Sequence, residues 1–387
     1  MTFILTTLTM TALGQNEIYK FSSLIEKEAD TTYGHQMIAW DYSKIGQYKK
    51  ALICWDKDFP SAYTLSEQDS LNFLKYSPYN AIEYILSKAD NYQVIMLNEA
   101  HHSSLHRNFT KLLLKGLSEK GFKYFGLEAV NQKDSINERK FPIQSSGSYT
   151  NEPEFGNLLR EALELGYFVF GYEASFGRNG KQREIEQAEN IKKILDKDPQ
   201  AKIFIHAGFD HIREDENINN WEKAMAGRLK EFTGIDPLTI DQVSMTEKSS
   251  EQFENPFIKL AAVNVPTVFV NNENQGFIDK NLKKQFDLSV FHPRTDYKQT
   301  RPHWLFANGK QFYPVSLSNK NYSYPIMVFV FVEEEYKAAK IRQLVPTDII
   351  EFEFKTETTG LVLSKGNYVL IFKDSAGKIE EEKIEIK

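Results

Sequence analysis

The chain has 387 residues, of which 41% are hydrophobic, 13% aromatic and 26% charged, a composition that excludes a wholly disordered protein. The formal net charge of −6 at pH 7 argues against a general nucleic-acid-binding role, which would require a strongly basic surface. The one cysteine, Cys54, excludes a disulfide within the chain.

The first predicted element is an uncharged N-terminal segment. Its small residues Ala12 and Gly14 stand just before Gln15, as they do at a signal peptidase site. This pattern predicts a signal peptide over residues 1–14 and an exported protein, either periplasmic or secreted. The alternative is a short buried helix or strand at the start of a cytoplasmic protein. The segment is too short to span a membrane, and no later apolar run reaches the ~20 residues that a spanning helix needs.

Residues 15–75 are predicted to be helical. Around Gly46, small and aromatic residues recur at helical spacing on both sides of a turn, and the pattern from Ala39 to Leu52 resembles a single tetratricopeptide-type hairpin. A superhelix needs roughly three or more such units, and the sequence shows no second copy. We therefore expect a helical cap on the main domain.

In residues 76–258, apolar runs alternate with amphipathic helical patterns. The predicted strands are 94–97, 124–128, 167–173 and 202–207, and the predicted helices between them are 109–117, 155–165 and 182–195. Such alternation predicts an α/β fold with a mainly parallel central sheet and flanking helices.

Residues 259–387 are predicted to be rich in β-strands. The strand-like runs are 263–270, 311–317, 326–332, 349–354, 361–363, 368–372 and 378–386. Few helical patterns separate them, so we expect them to complete the core and to form C-terminal antiparallel strands. The segment 374–377 is predicted to be the turn of a hairpin.

Each of the four core strands ends in groups that can transfer a proton or bind a metal. These groups are Glu99, His101 and His102 after the first strand, Glu128 after the second, Glu173 after the third, and Asp210 with His211 after the fourth. Parallel strands bring their carboxyl ends to one edge of a sheet, where ligands bind. The sequence therefore predicts an active site at that edge.

The residue types at this edge favour histidine and carboxylate chemistry, because the sequence contains no Gly-x-Ser-x-Gly motif. In one hypothesis His101 is a general base on water, and Arg183 stabilises negative charge. In the other, His101, Glu128 and His211 hold a divalent metal that activates the water. Hydrolysis is the simplest reaction for either. His102 and Glu173 are further cofactor-binding candidates, and His206 is predicted to be a core residue.

Three motifs carry a family resemblance: Val94-Ile-Met-Leu-Asn98-Glu99-Ala-His101, Gly126-Leu-Glu128 and Ile205-His-Ala-Gly208-Phe-Asp-His211. Together with an Arg183-bearing helix, they resemble the erythromycin esterase-like and ChaN-like superfamily, which includes the TraB and Tiki proteins. The resemblance covers roughly residues 82–238. It implies an α/β domain over residues 76–258 and a site made of Glu99, His101, Glu128, Arg183 and His211.

Two positions depart from the family pattern. Asn98 stands where the family usually has glycine, and Gly208 stands where the esterases have a further histidine. The second departure argues against macrolide-ring hydrolysis. Members include antibiotic esterases, metal-dependent proteases and a haem-binding lipoprotein. The resemblance therefore implies a small-molecule or peptide substrate, with a divalent metal or haem as candidate cofactor. The alternatives are a haem- or iron-binding protein without turnover, or a catalytically degenerate interaction module.

Overall fold

The computed structural model describes residues 18–29, 34–58, 64–282, 285–317 and 320–387, so the predicted signal peptide over residues 1–14 lies outside the described residues. The α-helices in these ranges are α1 (Ser22–Ala29), α2 (His35–Lys44), α3 (Tyr48–Asp56), α4 (Glu67–Phe73), α5 (Ala81–Lys88), α6 (Ser104–Glu119), α7 (Ile136–Arg139), α8 (Pro153–Glu164), α9 (Gly180–Lys197), α10 (Met225–Thr233), α11 (Pro256–Ala261) and α12 (Glu333–Ala338).

The β-strands fall into one parallel sheet, one antiparallel sheet and several short pairs. They are β1 (Ser77–Asn80), β2 (Val94–Glu99), β3 (Phe122–Leu127), β4 (Phe168–Gly171), β5 (Lys202–Gly208), β6 (Glu216–Ile218), β7 (Glu222–Lys223), β8 (Leu238–Asp241), β9 (Thr267–Val270), β10 (Leu288–Ser289), β11 (Tyr297–Lys298), β12 (Arg301–Pro302), β13 (Gln311–Pro314), β14 (Ile326–Val332), β15 (Asp348–Phe352), β16 (Gly360–Leu363), β17 (Gly366–Asp374) and β18 (Ile379–Ile386).

The central sheet is parallel throughout and has the strand order β10-β8-β2-β5-β3-β4. Every residue of β2 is buried, because helices cover both faces of the sheet, as parallel sheets require. One face packs on α5, α6 and α8, for example through Leu113 and Phe155. The other packs on α9 and α10, for example through Ala188 and Leu229. The predicted α/β fold with a parallel sheet is confirmed.

The register of the central strands brings their carboxyl ends level. Glu99 of β2 lies opposite Gly208 of β5, and Leu127 of β3 lies opposite both His206 of β5 and Gly171 of β4. The residues that directly follow these strands therefore share one edge of the sheet. The two-residue strand β10 extends the sheet at its other side, although it is too short to leave a periodic signal in the sequence.

The C-terminal region forms an antiparallel sheet with the strand order β15-β14-β17-β18. Strands β17 and β18 form the predicted terminal hairpin. Two strands outside this sheet, β13 and β16, pair with each other and contribute to the apolar cluster on one of its faces. The predicted antiparallel C-terminal region is thus confirmed.

Helices α2 and α3 form the predicted hairpin and pack on the antiparallel sheet. Gly46 makes the turn with φ of +73°, and a Cβ there would lie 2.5 Å from the carbonyl oxygen of Ile349. The hairpin and the sheet share an apolar cluster that includes Ile38, Ala51 and Phe329. None of the described helices is both long enough and apolar enough to cross a membrane.

Candidate functional site

The first part of the site is a buried carboxylate at the end of β2. Glu99 accepts hydrogen bonds from Nε of Arg107 at 2.8 Å, from Nε2 of His206 at 2.9 Å and from Nδ1 of His101 at 3.1 Å. Burial alone would raise the pKa of Glu99, but the charges of Arg107 and His206 and the hydrogen bonds lower it well below its ordinary value. An ionised Glu99 only accepts, so the proton of His101 sits on Nδ1 and Nε2 is left as a base.

Arg107 joins this carboxylate to a second one. The guanidinium is fully buried; it donates to Oε2 of Glu152 at 2.9 Å and to the backbone oxygen of His101 at 2.7 Å. A charged side chain is retained in a protein interior only when it is paired in this way. Arg107 therefore fixes both the side chain of Glu99 and the main chain that carries His101.

The main chain at Gly208 lies directly against the ring of His101. A Cβ at this position would lie 2.3 Å from Cε1 of His101, 2.7 Å from its Nε2 and 2.9 Å from Oε2 of Glu128. The backbone N–H of Gly208 donates to the same Glu128 oxygen at 2.6 Å. The absence of a side chain at residue 208 thus allows β5 to bring His101 and Glu128 together.

Arg183, from the first turns of α9, lies between two of the strand-end carboxylates. Its guanidinium donates to Glu128 and to Glu173, and its Nη1 lies 3.0 Å from Nε2 of His211. Burial would raise the pKa of Glu128, but the charges of His211, His101 and Arg183 lower it to about 2. Glu128 is therefore ionised at neutral pH.

The ring of His211 is held by the carboxylate of Glu184. Its Nδ1 lies 2.9 Å from Glu184, and its ring stacks on Trp221 with 5.0 Å between ring centroids. Burial opposes the charged form, but the charge of Glu128 and the hydrogen bond to Glu184 raise the pKa of His211. Neutral His211 accepts from Arg183, whereas protonated His211 faces Glu128 at 3.5 Å, so the ring can hold or release a proton at Nε2.

Six of the predicted residues line one cavity of about 700 Å³, namely His101, Glu128, Glu173, Arg183, Asp210 and His211. Glu99 lies behind His101. Aromatic residues and one lysine complete the walls, chiefly Trp40, Trp55, Tyr149, Phe209, Trp221 and Lys248. Residues that follow strands far apart in sequence therefore line one space.

His102 lies elsewhere. Its buried ring stacks on Trp55 with 4.2 Å between centroids, and it lines a neighbouring cavity of about 330 Å³ instead of the one that contains His101. The two cofactor-binding candidates, His102 and Glu173, therefore line different cavities, since His101 and His102 of the loop after β2 point to different sides.

The residues that we predicted as metal ligands do not form a metal site. Among the described residues, no group of three or more His, Cys, Asp or Glu side chains is arranged to hold a metal ion. The cation that contacts Glu128 and His211 is the guanidinium of Arg183. The donor set of His101, Glu128 and His211 therefore does not fit a divalent metal in this arrangement.

Several residues that support the site were not predicted from the sequence. His206 is buried as predicted, but its ring also joins Glu99 to Thr110. Arg107, Glu152 and Glu184 were not singled out, since each lies in or at the start of a helix whose charged residues are usually solvated. The sequence signal for Glu184 was its position directly after the predicted site residue Arg183.

Asn98 lies within β2 in an extended backbone conformation, which does not require a glycine. Its amide donates to Asp241 at 2.8 Å and to the backbone oxygen of Phe209 at 3.1 Å, and its Oδ1 accepts from the backbone N–H of Gln242 at 2.8 Å. The side chain thereby fixes β2 against the loops that follow β5 and β8. Asn98 thus has a structural role in this protein.

No protein-family model and no curated protein matches the chain. Among solved structures, the type III effector HopBA1 is similar at 11% identity and a TM-score of 0.32, over 46% of this chain and 94% of that one. RRSP, a MARTX toxin effector domain from Vibrio vulnificus CMCP6, is similar at 15% identity and a TM-score of 0.31, over 60% of this chain and 47% of that one.

A third similar structure is the C-terminal region of Pasteurella multocida toxin, reported to have a thiol-protease-like catalytic triad. It has 11% identity and a TM-score of 0.30, over 90% of this chain and 50% of that one. The chain thus spans about half the length of this structure and of RRSP. At such TM-scores, inference about function rests on the site's own geometry.

Proposed function

We propose that the chain is a hydrolase of the erythromycin esterase-like and ChaN-like kind, in which His101 activates water against an ester or amide. One observation carries the proposal. Two histidines, His101 and His211, each have Nδ1 held by a buried carboxylate, Glu99 or Glu184, and both line the cavity that contains Arg183.

His101 is the general base of this proposal. Its Nε2 takes a proton from water as the water oxygen attacks the carbonyl carbon, and the ionised Glu99 stabilises the imidazolium that forms. Glu99 is itself held by Arg107 and His206, so it orients the ring without changing position. Such buried, pre-oriented pairs lower the reorganisation that the reaction requires.

His211 is the general acid. Its raised pKa favours the protonated ring, which gives its Nε2 proton to the leaving oxygen or nitrogen when the tetrahedral intermediate collapses. Arg183 lies beside His211 and supplies positive charge near the developing oxyanion. Glu128 and Glu173 position the guanidinium.

The test uses 4-nitrophenyl acetate, 4-nitrophenyl butyrate and a fluorogenic peptide as probes. We expect His101→Ala and His211→Ala each to lower kcat/KM by about 100-fold or more, the usual contribution of a general acid or base. The control is His303→Ala, because His303 hydrogen-bonds to the backbone of Asp296 and does not line the cavity. Thermal melts would confirm that all three variants fold.

Turnover that survives both alanine substitutions would contradict the assigned roles. A wild-type protein that hydrolyses no probe, but binds haem with a Soret band that His101→Ala removes, would replace the proposal with the haem-binding alternative.

A further inference from the structure

The cavity contains a second cationic side chain, Lys248, which the proposed hydrolysis does not use. Lys248 lies in the loop between β8 and α11 and lines both the large cavity and the neighbouring one. Its side chain is only 18% exposed. Within the described ranges, no acceptor makes a hydrogen bond with Nζ, and the nearest carboxylate oxygen, from Asp56, is 3.9 Å away.

Asp56 offsets this charge only in part. Its other oxygen accepts the backbone N–H of Ser249, so the carboxylate also fixes the loop that carries Lys248. By contrast, Arg183 at the catalytic side of the cavity contacts two carboxylates directly. Between the arginine and the lysine of the cavity, Lys248 is the one whose charge is less closely paired.

The surroundings of Lys248 make this imbalance costly. Burial lowers the pKa of Lys248, since desolvation disfavours the ammonium form. Burial, and then the charge of Lys248, also lower the pKa of His102 well below its ordinary value. An anion that enters the cavity would restore the balance and gain a charge-assisted hydrogen bond.

The cavity that Lys248 lines also has several aromatic side chains in its wall, among which Trp55 stacks on Phe209. Trp55 and Phe209 lie parallel with 5.4 Å between ring centroids, and Trp40 meets His101 edge-on at 5.3 Å. Aromatic walls with a few placed polar groups are typical of small-molecule sites, in which those groups fix the orientation of the ligand.

We propose that Lys248 binds an anionic group of the substrate, a carboxylate or a phosphate, and that the protein acts on anionic esters or amides. The apolar part of such a substrate lies against Trp40, Trp55 and Phe209, between the anion and the bond near His101. The substrate class rests on the proposed function, whereas anion binding at Lys248 does not.

The kinetic test compares mono-4-nitrophenyl glutarate, which is anionic, with neutral 4-nitrophenyl butyrate. We expect the wild type to prefer the anionic ester. Lys248→Met should lower the ratio of the two kcat/KM values by about tenfold or more, mainly through KM, because a hydrogen bond to a charged group is lost. Lys248→Arg should restore part of the ratio. Lys259→Met is the matched control, because Lys259 is 81% exposed.

The binding test is independent of turnover. Tryptophan fluorescence of the full-length wild type and of His101→Ala would be titrated with glutarate and with inorganic phosphate. We expect saturable binding of one of them, weakened about tenfold or more by Lys248→Met, and the better ligand identifies the anionic group. Lys248→Gln replaces the methionine variant if the latter does not melt cooperatively.

The two proposals fail in different ways. Lys248-dependent anion binding without turnover of any ester would retain the Lys248 site and remove the hydrolase. Turnover with an unchanged substrate ratio and unchanged anion affinity in the Lys248 variants would overturn the Lys248 site, as would a wild type that binds neither anion.

Discussion

Glu99 is the residue on which the site's geometry depends most directly. Its carboxylate accepts from three side chains, one of them the fully buried Arg107. Removing one member of a buried ion pair leaves an uncompensated charge and typically costs about 3–5 kcal/mol of stability. We therefore expect changes at Glu99 to affect folding and the proposed catalysis together, which makes a neighbour without a charge the better residue for separating the two.

Gly208 is such a neighbour. In Gly208→Ala the new methyl group would lie 2.3 Å from Cε1 of His101, so the imidazole must move away from its position above β5. Displacement of a catalytic group by about 1 Å can cost about 100-fold in rate. We expect kcat/KM for 4-nitrophenyl butyrate to fall by that order while the protein still melts cooperatively.

The matched control is Gly227→Ala in α10, where a new Cβ would have its nearest neighbour at 3.7 Å. Alanine is the better helix former, so this variant should keep its activity and gain up to about 1 kcal/mol of stability. Full activity in Gly208→Ala would show that the position of His101 is not decisive for turnover.

At the scale of single residues, the sequence predicts the polar residues that follow the strands. It does not predict the residues that form hydrogen bonds with them. Glu99, His101, Glu128, Glu173 and His211 were recognisable because each follows an apolar run. Arg107 has the spacing of a solvated helix charge, and only the packing of α6 on α8 buries it against Glu152. For a related reason, spacing could not reveal that the guanidinium of Arg183 lies against Glu128 and His211, two of the residues that the metal hypothesis used.

Among the elements, the α2–α3 hairpin has a larger role than its sequence indicated. It packs on the C-terminal sheet, yet Trp40 and Trp55 extend from it into the cavity beside His101. The hairpin itself was predictable from local periodicity and Gly46. Its partner was not, because β14, β15 and β17 follow much later in the chain, and periodicity reports no long-range pairing.

A substitution at Trp40 tests whether the hairpin helps to orient His101. In Trp40→Leu the edge contact with His101 and the contact with Tyr149 at 5.8 Å are lost, and aromatic contacts of this kind contribute about 0.5–1.5 kcal/mol each. We expect kcat/KM for 4-nitrophenyl butyrate to fall about tenfold, since the ring of His101 is less firmly oriented. Met37→Leu on the same helix is the control, because Met37 is 44% exposed. Equal effects of both changes would assign Trp40 a general structural role.

At the scale of the whole molecule, α8 connects the two sheets. Helix α8 packs on α6 beside the parallel sheet. Its Arg160 donates to both carboxylate oxygens of Glu335 on α12 at 2.7 and 2.8 Å and to the backbone oxygen of Val345 at 2.6 Å. Asn157 donates to the backbone oxygen of Thr347 at 2.9 Å. Because these contacts are buried, we expect the two sheets to unfold as one unit.

Glu335→Ala should weaken this connection. The variant leaves the buried guanidinium of Arg160 without its carboxylate, so the free energy of unfolding in urea should fall by about 3 kcal/mol. The exposed neighbour Glu334 on the same helix is the control, and Glu334→Ala should change stability by no more than about 0.5 kcal/mol. Equal stability of the two variants would show that Arg160 and Glu335 do not couple the sheets.

The strand order of the parallel sheet has a consequence for how the protein emerges from the ribosome. Strand β2 lies between β5 and β8, and Glu99 is 107 residues before its partner His206. During synthesis the apolar β2 therefore waits for two neighbours that are translated much later, and loop closure over such separations slows folding. Until then the nascent chain presents an unpaired apolar strand, the kind of segment that aggregates or is shielded by chaperones. The site is consequently assembled only after β5 and β8 have been made, so chains that stop before β5 carry Glu99 and His101 without His206.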